Sequence, residues 1–194
     1  TRKLFKVCGM RGIPIFTFIN KMDREANDTF ELLDEIEKEL GIATCPVNWP
    51  IGCGKNFKGV YDRQKNCVIT YSDTEKGTKE GVAETISFED EAGLISHVGE
   101  DNLSILKDEI ELLDGASAEF DIESIRKGKL TPVFFGSALT NFGVEFFLQH
   151  FLQMATTPLP RKADIGMIDP VENDFSAFVF KIQANMNKAH RDRI

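Results

Sequence analysis

The stretch Ile13–Glu25, "IPIFTFINKMDRE", decides how this chain is read. Ile15 to Ile19 are apolar or β-branched, which favours a buried strand, and the run stops abruptly at Asn20, Lys21 and Asp23 with Met22 between them. A helix is predicted directly behind it, in "NDTFELLDEIEKEL". Asp28 and Glu31 stand three apart as a capping box, Phe30, Leu33, Ile36 and Leu40 recur about every three residues, and Gly41 ends the pattern. Strand, polar loop and capped helix make one unit.

A second unit of the same kind lies far downstream, in "LTPVFFGSALTNFGVEFFLQHFLQMATTPLP". Its strand is expected around Val133–Phe135, followed by a Gly-Ser turn and a helix. Val144, Phe147, Leu148, Phe151, Leu152 and Ala155 follow the i, i+3, i+4, i+7 rhythm of that helix's apolar face. Two strand-loop-helix units imply an α/β fold, a parallel sheet with flanking helices.

The residues between the units read as an α+β insertion over about 51–130. "FKGVYDRQKNCVITYS" alternates around a polar turn like a hairpin, and "DNLSILKDEIELLDG" carries Leu103, Leu106, Ile110 and Leu113 on one helical face. After Ala155, "TTPLPRKAD" has the composition of a linker. The run from Phe175 is β-branched and aromatic, as a strand would be. The organisation expected is one domain over residues 1–158 and the start of another over 159–194.

Composition narrows the classes. With 194 residues and 42% hydrophobic content the chain has ample material for a core. A net charge of −8 argues against sequence-independent nucleic-acid binding through a broadly basic face, although Lys188, His190, Arg191 and Arg193 form a local basic cluster that fits either ribosomal RNA or a plain exposed turn. No apolar run approaches the roughly 20 residues of a membrane span, and the N-terminus lacks signal-peptide features, so a cytoplasmic setting is expected; a monomer is the separate expectation for its assembly. Cys8, Cys45, Cys53 and Cys67 have no C-x-x-C spacing and read as reduced, mostly buried thiols. His97, His150 and His190 lack metal-ligand or nucleophile companions at useful spacing and are assigned surface or half-buried structural roles.

In an open parallel sheet, ligands bind beyond the carboxyl ends of the strands. Asn20, Lys21 and Asp23 stand at one such end, and Gly136, Ser137, Ala138 and Leu139 at another. The residue types point to guanine. A carboxylate such as Asp23 accepts from both N1–H and the N2 amino group of that base, whereas adenine offers no hydrogen at N1. Lys21 can lay its stem along the base, Asn20 can tie the two loops, and a backbone N–H near Ala138 can donate to O6.

"FINKMDRE" and "FFGSAL" resemble the two base-recognition motifs of translational GTPases. The longer strings "CPVNWPIGCGKNFKGVYD", "LLDGASAEFD" and "FVFKIQANMNKAHRDRI" resemble the bacterial release factor 3 branch of that family more closely than elongation factor G; the region from about Gln64 to Gly99 is less alike. The resemblance implies the C-terminal half of a P-loop GTPase domain followed by the opening of a β-barrel domain. It also implies a ribosome-dependent GTPase that helps class I, codon-reading release factors leave the ribosome. Its ligands would be GTP and GDP, with Mg²⁺ in the complete protein. Asn20, Lys21, Met22 and Asp23 would form the first base loop, and Ser137, Ala138 and Leu139 the second. An elongation factor G-like translocation GTPase and a non-catalytic ribosome-binding module are the alternatives.

One departure stands against the resemblance. Phosphoryl transfer needs a G-x-x-x-x-G-K-[ST] loop and switch segments for Mg²⁺ and the attacking water, and none is present. "GCGKNFKG", Gly52–Gly59, has the wrong spacing and reads as a structural turn. The family places the phosphate elements ahead of the guanine motif, so an internal fragment is expected. Catalytic residues and metal ligands are not expected in it, it should be inactive alone, and its sheet edge at Ile15–Ile19 should be open.

Overall fold

The computed structural model describes residues 2–71, 83–171 and 174–182, in two compact units, Thr1–Ala155 and Thr156–Ile194. In the first unit, helix α1 (Arg2–Met10) precedes strand β1 (Thr17–Ile19) and helix α2 (Thr29–Leu40). Strands β2 (Ala43–Pro46) and β3 (Asn48–Ile51), a single 3₁₀ turn (Gly54–Asn56), and strands β4 (Gly59–Asp62), β5 (Cys67–Tyr71) and β6 (Ala83–Ser87) follow. Helices α3 (Glu91–Val98), α4 (Glu100–Ala116) and α5 (Ile122–Arg126), strand β7 (Leu130–Phe135) and helix α6 (Val144–Met154) complete it.

The two strand-loop-helix units do meet. β7 lies between β1 and β2 in a parallel three-stranded sheet, with Thr17 opposite Val133, Phe18 opposite Phe134 and Ile19 opposite Phe135. Every residue of β7 is buried, as befits a central parallel strand, while β1, which pairs only with β7 among the described residues, is half-buried. Thr131 makes the polar repair inside this sheet: its hydroxyl donates to the Ile15 carbonyl and faces the Thr17 hydroxyl, both at 2.9 Å.

α2 starts and stops where its sequence says it should. The Asp28 carboxylate accepts from the Phe30 and Glu31 N–H groups, and Gly41 closes the helix at φ +66°. The insertion forms a four-stranded antiparallel sheet in the order β3-β4-β5-β6, including the expected hairpin. Its turn is capped by Asp62, whose carboxylate accepts from the Gln64 and Lys65 N–H groups. α4 buries Leu103, Leu106 and Leu113 as predicted. The main core runs through both sheets, so Trp49 of β3 packs on Phe30 of α2 and on Phe135 of β7.

Two expectations fail. α6 buries Phe146, His150 and Met154, a face rotated by about one residue from the predicted Val144-Phe147-Leu148-Phe151-Leu152-Ala155 stripe; Leu148 is 51% and Leu152 78% exposed. The reason is His150. Its Nδ1 bonds to the Phe146 carbonyl at 2.9 Å and its ring packs on Phe146 and Phe134, so it goes inside as a satisfied aromatic.

In the second unit, the supposed linker contains strand β8 (Arg161–Ala163), paired with β9 (Gly166–Ile168) in an antiparallel hairpin. The segment from Phe175 carries no strand over 174–182, because a strand exists only through its ladder and none of the described residues pairs with it. The basic cluster at 188–193 and the rest of that run lie outside the described residues.

Candidate functional site

The loops after β1 and β7 leave the same end of the sheet and are joined through backbone and side chain alike. The Gly136 N–H donates to the Ile19 carbonyl and the Met22 N–H to the Gly136 carbonyl, both at 3.1 Å. Asn20 Oδ1 accepts the Lys21 N–H at 2.8 Å and, across 118 residues of chain, the Ala138 N–H at 2.9 Å. The Ser137 hydroxyl donates to Asp23 Oδ1 at 2.5 Å. The sequence-predicted residues are thus brought together.

Their roles divide by burial. Met22 is 2% exposed and belongs to the core, where it anchors the loop rather than facing a ligand. Its carbonyl accepts the Gly54 N–H at 2.9 Å, so the "GCGK" turn is structural, as read, and grips the first loop from behind. Lys21 is exposed and holds φ +73°, in the left-handed region. Ser137 is fully buried, whereas Ala138 and Leu139 are exposed at the loop tip. Asp23 is half-buried: Oδ1 is committed to Ser137, which leaves the carboxylate oriented with acceptor capacity to spare.

One detail differs from expectation. The Ala138 N–H already donates to Asn20, so it can meet a base oxygen only as a shared or transferred hydrogen bond. The arrangement brings a half-buried carboxylate with acceptor capacity, an exposed lysine and an asparagine amide to one end of the sheet.

The second loop owes its shape to its own closure. Ser137 and Phe142 exchange N–H···O bonds, both 2.9 Å, and Gly136 sits where an added Cβ would come within 2.4 Å of the Phe142 carbonyl oxygen. Below it, Asn48 of β3 reaches across to β7. Its Nδ2 donates to the Phe135 carbonyl at 3.1 Å and its Oδ1 accepts the Phe135 N–H at 2.7 Å, so one buried side chain continues the ladder after β2 ends. Above it, the Tyr71 hydroxyl accepts the Gly143 N–H at 2.9 Å, and burial pushes the phenol pKa up. Asn48 and Tyr71 escaped the sequence reading. The one available signal was a polar Asn inside the apolar run "PVNWPI".

Likenesses to known proteins bear on the same span. The model of the family described as elongation factor Tu GTP binding domain matches residues 1–159. Over its whole length the chain is 56% identical to peptide chain release factor 3 of Symbiobacterium thermophilum, covering 37% of that protein, and 54% identical to that of Gloeobacter violaceus, covering 36%. It is 53% identical to that of Synechococcus elongatus, covering 35%. The chain therefore spans little more than a third of these curated relatives. A crystal structure of a protein from Thermus thermophilus matches with a TM-score of 0.53 at 21% identity, over 81% of this chain and 24% of that one, a likeness of fold. Fold, paired loops and the match over residues 1–159 place this chain in the elongation factor Tu GTP-binding domain family.

Proposed function

We propose that this chain supplies guanine recognition to a ribosome-dependent GTPase of translation termination, one that promotes departure of class I release factors from the ribosome. Asp23 would read N1–H and the N2 amino group, Lys21 would flank the base, and Asn20 with Ser137 would hold the two loops in register. The observation that carries the reading is the 2.5 Å hydrogen bond from Ser137 to Asp23, which joins loops 114 residues apart and aims the carboxylate. GTP, GDP and Mg²⁺ are the ligands of the complete protein; the phosphate and Mg²⁺ contacts belong to elements this sequence does not contain, and the chain alone is expected to hydrolyse no GTP.

The test is a base swap. In the complete protein, Asp23→Asn should move preference from GTP toward XTP, because xanthine carries a carbonyl where guanine carries its amino group and an amide can donate to it. Asp23 is only half-buried and Asn retains an acceptor for Ser137, so the stability change should be about 1 kcal/mol or less. Ribosome-stimulated hydrolysis of GTP and XTP by both variants gives the answer. An intact GTP preference would remove Asp23 from the role.

A further inference from the structure

The loop that carries Ser137 is fixed at its far end by an aromatic side chain from the insertion. Phe142, the closing partner of Ser137, has its ring stacked on Tyr71, with centroids 4.5 Å apart and planes 13° apart, and Phe57 lies near it at 5.9 Å. The Tyr71 hydroxyl also accepts the N–H of Gly143, the residue that caps α6 without a side chain and holds φ +75°. Tyr71 therefore contacts both consecutive residues at the loop's exit, one through its ring and one through its oxygen. A residue needed only for packing would require the ring alone.

We propose that Tyr71 is a positioning residue for base discrimination: by holding Phe142 and Gly143 it sets Ser137, whose hydroxyl orients the Asp23 carboxylate. The inference rests on the base-reading role of Asp23 proposed above and extends it to the insertion, which becomes part of the specificity apparatus. The route is short and continuous. The Tyr71 oxygen holds the Gly143 N–H and its ring touches the adjoining Phe142, Phe142 exchanges two backbone hydrogen bonds with Ser137, and Ser137 holds Asp23. Loosening the far end would leave Asp23 present but less well aimed, and a displaced acceptor loses most on the ligand that offers it the most donors.

IDP provides the readout, since hypoxanthine keeps N1–H and O6 but lacks the N2 amino group. The ratio of GDP to IDP affinity in the complete protein therefore reports the aim of Asp23, whereas general damage to the nucleotide site weakens both alike. Tyr71→Phe keeps the ring and removes the hydroxyl. It should lower the GDP/IDP ratio by about threefold to tenfold, the range of one misplaced hydrogen bond, and speed GDP release, with Tyr71→Leu more severe. Should Tyr71→Leu fail to fold, Tyr71→Phe alone decides. Equal weakening of GDP and IDP, or no change in either, overturns the inference. Asp23→Asn run in parallel separates the two claims: a shift toward XDP with an unmoved Tyr71→Phe ratio defeats only the positioning role, and no shift defeats the base-reading role and the inference with it.

Discussion

The loop after β1 and the loop after β7 serve the same end of one sheet, yet they are built in opposite ways. In the first, Asn20, Lys21 and Asp23 present polar side chains, and the backbone is held by others: Gly136 takes the Met22 N–H, and Gly54 donates to the Met22 carbonyl. In the second, the backbone closes on itself through Ser137 and Phe142, and the exposed tip residues Ala138 and Leu139 have little chemistry of their own. A loop that works through side chains needs a support. A loop that works through backbone groups needs a shape, and shape here comes from a missing Cβ and from clamps above and below.

The comparison breaks first at the lower clamp. Asn48→Ala should strand the buried N–H and carbonyl of Phe135 without partners, for a loss of about 3 kcal/mol in urea unfolding followed by Trp49 fluorescence. A loss below about 1 kcal/mol would mean that the ladder does not depend on this side chain. Gly136→Ala comes next, at about 2 kcal/mol, because the new Cβ would meet the Phe142 carbonyl oxygen at 2.4 Å and the Phe18 ring at 2.9 Å. It should also weaken guanine nucleotide binding by the complete protein more than it weakens folding, since the second loop must shift to make room.

The smallest effect sharpens the contrast by sparing both loops. Glu109 accepts the Trp49 indole N–H at 2.8 Å, and burial, with the Asp28 charge adding to it, raises its carboxyl pKa above the ordinary value of 4.5. A raised folded-state pKa means that the native protein binds this proton more tightly than the unfolded chain. Stability should therefore fall as pH rises from about 4.5 through the folded value. Glu109→Gln should flatten that fall, leaving the variant the more stable at neutral pH and equal to the parent near pH 4, with nucleotide affinity unmoved. A parent and variant with identical pH profiles would show Glu109 to be fully solvated in practice.

The first loop was legible from sequence and the second only in part, for the same physical reason. Side-chain chemistry is written in residue types, so Asn20, Lys21 and Asp23 declared themselves, as did the Asp28 cap, the Gly41 stop and the pairing of β1 with β7. Backbone clamps depend on what lies opposite in space. Asn48 and Phe135 are 87 residues apart, and Tyr71 and Gly143 are 72 apart, with nothing local to announce either contact. The error in α6 is of a third kind. "VEFFLQHFLQM" is apolar around more than half its circumference, so periodicity admits two neighbouring faces, and only the packing of His150 chooses between them.

Lys21 gives the site a bias that selection would feel. A lysine at φ +73° holds a backbone state that glycine or asparagine adopts more readily, a difference of about 1 kcal/mol. Populations of this protein screened for heat resistance alone should accumulate Lys21→Gly and Lys21→Asn, gaining robustness while surrendering the stem proposed above to flank the base. Persistence of lysine under such a screen would record a demand on that position from outside the folded chain, and its loss would record that demand being lifted.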